Sequence, residues 1–249
     1  MTTSERKRLD VLLVEKGLAE SRPRAKALIM AGKVLVDTQL VDKAGATAPV
    51  SSQIVVKDSA LPYVSRGGLK LEAALESLKI SVAELVCMDV GASTGGFTDC
   101  LLKHGAQSVY AVDVGYGQLA WTLRQDPRVH VIERTNIRHM PVERIPEPID
   151  LITIDTSFIS LRIVVPSVRK FLAPQGSILA LIKPQFEVGK GNVGKGGVVK
   201  STEQHATVIE SLTIFFKEQG LGCGPVVPSP ITGPKGNQEF IILLYNQPF

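Results

Sequence analysis

The apolar run at residues 178–182, in "GSILALIKPQFE", stops at Lys183, and Pro184 fixes the lysine in place. An ammonium delivered by a buried strand is costly to desolvate unless it is paired or at work. Asp155 ends a second apolar run, "LITIDTS", and Glu239 opens a third, "EFIILLYN". Lys70 begins a helical stretch behind Arg66-Gly67-Gly68. Such a set suits proton chemistry. A lysine base needs a lowered pKa, which a second cation such as Lys70 favours and carboxylates oppose. Lys183 is therefore the candidate base or hydroxyl-positioning group, and Asp155 and Glu239 take orienting roles. Plain alternatives stand beside these: Asp155 as a turn cap, Glu239 as a surface strand start, Lys70 as a solvated helix residue.

A glycine-rich loop lies upstream. "MDVGASTGGF", residues 88–97, separates a strand from a helix, and its small residues Gly91, Ser93, Gly95 and Gly96 let backbone approach a ligand closely. Asp113 ends the next strand, where a carboxylate can accept ribose hydroxyls. Ser93 stands where the dinucleotide fingerprint needs glycine, so NAD is disfavoured. The loop resembles instead the first motif of S-adenosylmethionine (SAM) methyltransferases. That resemblance assigns Asp89 to supporting the loop, Gly91, Ser93, Gly95 and Phe97 to the cofactor wall, Asp113 to the ribose and Asn136, in "RTNI", to the adenine. A sulfonium cofactor brings a cation and no phosphate.

The elements that must position these residues alternate. Helices at 69–79, 96–105, 117–126, 161–172 and 203–220 interleave with strands at 85–91, 108–115, 129–135, 150–157, 176–183 and 239–246. This predicts an α/β, doubly wound, mostly parallel sheet with an antiparallel last strand, and a ligand at the carboxyl ends of its strands. The first 58 residues read differently, as two short helices and a small sheet. Ser21 caps the second helix, Pro23 sits in its first turn and Gly32 closes it. The predicted organisation is a small α+β domain at 1–58, a linker at 59–66 and the large domain at 67–249.

Composition narrows the classes. The chain has 249 residues, 44% hydrophobic and 21% charged, which is ordinary globular usage. No apolar run approaches a membrane span, and no signal peptide follows the basic start. Three scattered cysteines without metal spacing point to a reduced, cytoplasmic protein without a metal. Residues 1–60 hold ten Lys/Arg against seven Asp/Glu, and the remainder eighteen against seventeen, so the N-terminal part suits an acidic partner.

"RLDVLLVEKGLAESRPRAKALIMAGKVLVD" resembles the S4-type RNA-binding domain. The resemblance implies that Arg22, Arg24, Lys26 and Lys33 meet RNA phosphates, contacts that position a protein without reading sequence. Arg6 and Arg66 are assigned to the same partner. Lys190, Lys195 and Lys200 lie among glycines in "GKGNVGKGGVVK", a segment that either closes over an RNA backbone or is merely mobile. The order Lys70-Asp155-Lys183-Glu239 resembles the tetrad of FtsJ/RrmJ-like ribose 2′-O-methyltransferases. "YVSRGGLKLEAALE", "DVGASTGGFTDCLL", "VDVGYGQLAW", "LIKPQFE" and "GPKGNQEF" together resemble the TlyA family, once called hemolysin A. That implies SAM-dependent 2′-O-methylation of cytidine in ribosomal RNA, either in the 23S molecule alone or in 23S and 16S both, with ribosomal RNA or subunits as partner; a monomer is favoured. Membrane-active hemolysis, a non-catalytic ribosome binder, base N-methylation and pseudouridine synthesis are the rivals. "DTSF" lacks the prolines of base N-methyltransferases, and a pseudouridine synthase has no use for the loop.

Overall fold

The computed structural model describes residues 5–19, 21–43, 45–56, 62–189, 193–194, 196–233 and 235–246. The chain divides into two compact units, Met1–Leu61 and Pro62–Phe249.

The first unit contains β1 (Arg6–Arg8), α1 (Leu9–Glu15), α2 (Arg22–Met30), β2 (Val34–Val36), β3 (Gln39–Val41), β4 (Thr47–Pro49) and β5 (Ile54–Val56). Ser21 caps α2 as expected, its hydroxyl accepting from the Arg24 amide. Leu9, Leu12, Leu13, Ala25, Leu28 and Ile29 pack the two helices onto Val34, Ala48 and Ile54. The sheet order is β3-β2-β5, and a separate antiparallel pair joins β1 to β4. That second pair is not foreseen from sequence, because "RKR" and "TAP" carry no strand signal of their own. They pair through register alone.

The second unit contains α3 (Gly67–Leu78), β6 (Val86–Val90), α4 (Gly96–Lys103), β7 (Ser108–Val112), α5 (Trp121–Arg124), β8 (Val129–Ile132), β9 (Ile149–Ile154), α6 (Leu161–Val168), β10 (Leu172–Ile182), α7 (Pro184–Glu187), α8 (Thr202–Glu218), β11 (Gly222–Pro228) and β12 (Phe240–Tyr245). Seven strands form one sheet in the order β11-β12-β10-β9-β6-β7-β8. Strands β10, β9, β6, β7 and β8 run parallel, while β12 is antiparallel to both its neighbours. The strands are near-continuous apolar runs because helices cover both faces.

Alternation along the strands sorts the core. Met88, Ile152, Ile154, Ile178, Ile182 and Ile242 face α6 and α8, whereas Cys87, Leu151, Leu179, Leu181, Ile241 and Leu243 face α3 and α4.

Three expectations need correction. The helix at 117–126 shrinks to Trp121–Arg124, because Asp113 and Glu133 hold the preceding "GYGQ" backbone as a loop. The helix at 161–172 stops at Val168 and closes through a short 3-10 turn, Arg169–Phe171. Strand β11 has no counterpart among the expected elements, since its glycines and prolines mask a strand; it occupies the sheet edge, where proline is tolerated.

Candidate active site

The chain runs β6, β7, β8 outward on one side and then returns to place β9 on the other side of β6. A crevice forms at such a switch point, outside the carboxyl ends of the strands. Register brings the candidate residues to that edge. Val90 lies opposite Val112 and Ile154, so Gly91, Asp113 and Asp155 are the next residues out on three adjacent strands. Ile182 lies opposite Phe240 in the antiparallel pair, so Lys183 and Glu239 leave the sheet side by side.

The loop is built around buried polar contacts. Asp89 is fully buried in β6, and its Oδ2 accepts from the Thr98 amide at 3.0 Å and the Thr98 hydroxyl at 2.7 Å. This ties the strand before the loop to the helix after it. Burial pushes the Asp89 carboxyl up to about 7, and the charges of Asp155 and Asp113 add to that rise while Thr98 opposes it. Gly91 has φ +87, and a side chain there would strike the Asp155 carbonyl oxygen at 2.8 Å. Gly95, at φ +99, opens α4 and has no room for a Cβ against Leu119 and Leu123. Ser93 and Thr94 remain exposed at the loop tip. The Ser93 amide donates to Asp113 Oδ2 at 2.8 Å and the Gly115 amide to Oδ1 at 2.6 Å. Each Asp113 oxygen keeps a lone pair for a ligand hydroxyl.

The other cofactor candidates divide. Phe97 is 3% exposed and packs in the core beneath the loop, so its ring braces the loop from below. Asn136 is exposed beyond β8, and its Oδ1 accepts from the Arg138 amide at 3.1 Å, capping a short turn. Asp113 stands at the strand edge beside the backbone cradle of the loop, which holds no basic residue, and Asp155 across from it is engaged by Lys183. Those features suit a cationic nucleoside such as SAM and oppose a phosphate ligand.

The four charged candidates meet as two ion pairs. Lys70 Nζ lies 2.5 Å from Glu239 Oε2, with the lysine side chain 10% and the glutamate 1% exposed. Lys183 Nζ lies 2.6 Å from Asp155 Oδ1 and donates to Ser157 Oγ at 2.9 Å. Asp155 Oδ1 is held there by charge rather than by a well-directed hydrogen bond. The plain alternatives of a solvated Lys70 and a surface Glu239 do not describe these buried pairs. Ser157 and Thr98 were missed by sequence reasoning. Their only sequence signal is a hydroxyl two residues past Asp155 and one residue past Phe97.

The basic candidates are scattered more widely. Arg24 and Lys26 are exposed on α2, without a side-chain partner among the described residues. Arg22 contacts Asp10 Oδ2 at 3.1 Å, and Arg6 donates to the Thr47 carbonyl at 2.8 Å. Lys33 is half-buried past α2. Arg66 precedes α3 and donates to the Thr232 carbonyl at 3.4 Å. Lys190 and Lys195 lie outside the described residues. The segment after them is pinned by Asn237, 2% exposed, which accepts from the Val199 amide and donates to the Gly197 carbonyl, both at 2.9 Å.

A doubly wound sheet with this loop and this edge defines a methyltransferase architecture, and similarity places the chain within it. Residues 63–246 match the FtsJ-like methyltransferase family and residues 7–54 match the S4 domain. The chain belongs to the FtsJ-like methyltransferase family, in the TlyA group that joins it to an S4 domain. It is 47% identical over 245 residues to the 16S/23S rRNA (cytidine-2′-O)-methyltransferase TlyA of Mycobacterium tuberculosis, covering 98% of this chain and 91% of that protein. It is 40% identical to hemolysin A of Brachyspira hyodysenteriae, over 94% of this chain and 98% of that one. A solved structure from Streptococcus thermophilus, described under the hemolysin name, superposes with a TM-score of 0.77 at 42% identity, covering 99% of this chain and 91% of that one.

Proposed function

We propose that this protein transfers a methyl group from SAM to the ribose 2′-hydroxyl of a cytidine in ribosomal RNA, either in the 23S molecule alone or in the 23S and 16S molecules both. The observation that carries the reading is the two lysine–carboxylate contacts, the half-buried Lys183–Asp155 and the buried Lys70–Glu239, at the edge beside the glycine loop. The TlyA relative named above supplies the substrate class.

SAM, when bound, supplies a methyl already activated by its sulfonium, so the demand on the protein is proton removal and alignment. The loop from Gly91 to Gly95 and the Asp113 carboxylate hold the cofactor, with Asn136 toward its adenine. Lys183, as its neutral amine, takes the proton from the 2′-hydroxyl as the methyl–oxygen bond forms and the methyl–sulfur bond breaks, and the Asp155 carboxylate steadies the ammonium that results. Asp155 and Ser157 orient the Lys183 amine, and the Lys70–Glu239 pair fixes the far side of the hydroxyl. Arg24 and Lys26 on α2, together with Arg6, Arg22, Lys33, Arg66, Lys190 and Lys195, meet RNA phosphates, which makes binding salt-dependent. The reaction takes place on ribosomal RNA in the cytoplasm. No helix of the described residues is long and apolar enough to cross a membrane, so membrane lysis draws no support from them.

The test is product analysis. Purified protein, radiolabelled SAM and unmodified ribosomal subunits are incubated, the RNA is digested and its nucleosides are separated by mass. Label in 2′-O-methylcytidine is the expected result. Label on a base would overturn ribose chemistry, and no label with SAM still bound would leave a non-catalytic RNA binder.

A further inference from the structure

Glu187, four residues beyond Lys183 in "KPQFE", has no part in the chemistry above, yet it is held more firmly than a surface glutamate. From the end of α7 it reaches the N-terminus of α6. Its Oε2 accepts from the Ser160 hydroxyl at 2.7 Å, and its Oε1 accepts from the Leu161 amide at 2.8 Å. Burial raises its carboxyl above the usual range in spite of both bonds. Beside it, the Phe186 ring lies against Phe158, with centroids 5.0 Å apart. The loops that follow β9 and β10 are therefore joined at three successive rungs. Lys183 meets Asp155 and Ser157, Phe186 meets Phe158, and Glu187 meets Ser160 and Leu161.

The β9 loop needs holding. Phe158 sits at φ +64, a left-handed conformation that a bulky side chain rarely adopts. Its ring is 90% exposed, so burial does not keep it there. A strained backbone persists only where surrounding contacts over-determine it. The Phe186 and Glu187 rungs come from the loop that carries Lys183, and the strained turn carries Asp155 and Ser157.

We propose that Glu187 is a positioning residue for the Lys183–Asp155 pair: its carboxylate clips the β10 loop to the start of α6 and so fixes where the Lys183 amine meets the ribose hydroxyl. The proposal rests on the methyl-transfer reading above. Removing the clip shifts the amine by a fraction of an ångström to an ångström, which costs roughly ten- to a hundredfold in rate without weakening either ligand.

The experiment compares wild type, Glu187→Ala and Glu187→Gln by transfer rate at saturating SAM and RNA, with both dissociation constants and the thermal midpoint measured alongside. Glu187→Ala is expected to lose about tenfold or more in kcat at unchanged KM for RNA. Glu187→Gln, which keeps an acceptor for the Leu161 amide and a partner for the Ser160 hydroxyl, should recover most of that loss. In a Lys183→Ala background, single-turnover labelling should show no further loss on adding Glu187→Ala, because the clip acts through Lys183. If Glu187→Ala fails to fold, Glu187→Asp, shorter by one methylene, carries the same comparison. The clip is overturned if Glu187→Ala turns over within twofold of wild type, or if its loss is as large without Lys183. A wild-type protein that labels no ribose would overturn the functional reading itself, a result distinct from either.

Discussion

Among the described residues each unit of this protein buries one aspartate completely, and the two are treated in opposite ways. Asp10, in the S4 unit, is 0% exposed, and what covers it are the Arg8 and Arg22 side chains, themselves 47% and 55% exposed. Hydrogen bonding to Arg8 leads in lowering its carboxyl to about 2. Asp89, in the methyltransferase unit, is also 0% exposed, but its partners are neutral, the Thr98 amide and hydroxyl and, at 3.5 Å, the Thr153 hydroxyl, and the charges acting on it are those of Asp155 and Asp113. Burial leads in raising it to about 7. The first is a surface ion network folded over an acid. The second is an acid at the base of the glycine loop, held toward its neutral form by burial and by the charges of Asp155 and Asp113. Burial alone therefore says little about a carboxylate; the charge of what covers it decides.

The largest effect should come from breaking a pair that neither aspartate resembles, the dry Lys70–Glu239 contact. Glu239→Ala leaves the Lys70 ammonium buried and unpaired, at a cost of about 3–5 kcal/mol in urea unfolding. Lys70→Met combined with Glu239→Leu should recover most of that stability while methyl transfer stays lost. A double variant no more stable than Glu239→Ala would contradict this.

Next is the pH dependence of Asp89. Its folded pKa lies above the unfolded one, so its contribution is fully present below pH 3.8 and is lost as pH rises toward about 7. Asp89→Asn stays neutral throughout. The variant's stability relative to wild type should therefore rise by a few kcal/mol between pH 4 and pH 8, at roughly 1.4 kcal/mol for each tenfold difference in proton affinity between the folded and unfolded chain. A difference flat with pH would mean that Asp89 is already ionised at pH 4.

Asp10 has the opposite sign. Its contribution is present above pH 3.8 and is lost as pH falls through about 2. Asp10→Asn should weaken amide protection in α1 and α2 by roughly 1 kcal/mol or less, and added salt should shrink that difference, because the arginines are open to solvent. An effect that persists undiminished at about 1 M salt would place the cluster with the buried pairs.

The smallest change separates basic residues on one helix. Arg24→Ala with Lys26→Ala should lower the salt slope of RNA binding by about two contacts at unchanged stability. Arg22→Ala should touch both binding and stability, because Arg22 also covers Asp10. Equal effects from Arg22 and Arg24 on both readouts would remove the distinction.

Much of this was legible from order and alternation. The apolar runs ending at Asp155 and Lys183 and beginning at Glu239 are strands whose ends share one edge, since register carries each residue one step past its neighbour. Alternation also put Asp155, Lys183 and Glu239 on the parity of Leu151, Leu181 and Ile241, the face that α3 and Lys70 cover. What could not be read was who pairs with whom. From sequence, Lys70 stands beside Lys183 as a second cation, whereas in the fold each lysine is engaged by its own carboxylate. Nor was the Thr98 support of Asp89 visible, because a threonine in a helix that opens on glycines reads as an ordinary surface residue. Strand β11 escaped because edge pairing, not propensity, makes it a strand.

The central claim is that Lys183 moves the proton and does not merely hold the fold. Its most direct test is the single-turnover transfer rate of Lys183→Ala on unmodified ribosomal RNA, with the SAM dissociation constant measured on the same preparation. The account predicts SAM binding within about threefold of wild type and a rate lower by roughly 10²–10⁴. Transfer within about threefold of wild type at intact SAM binding would contradict it and move the chemistry to another residue of this edge.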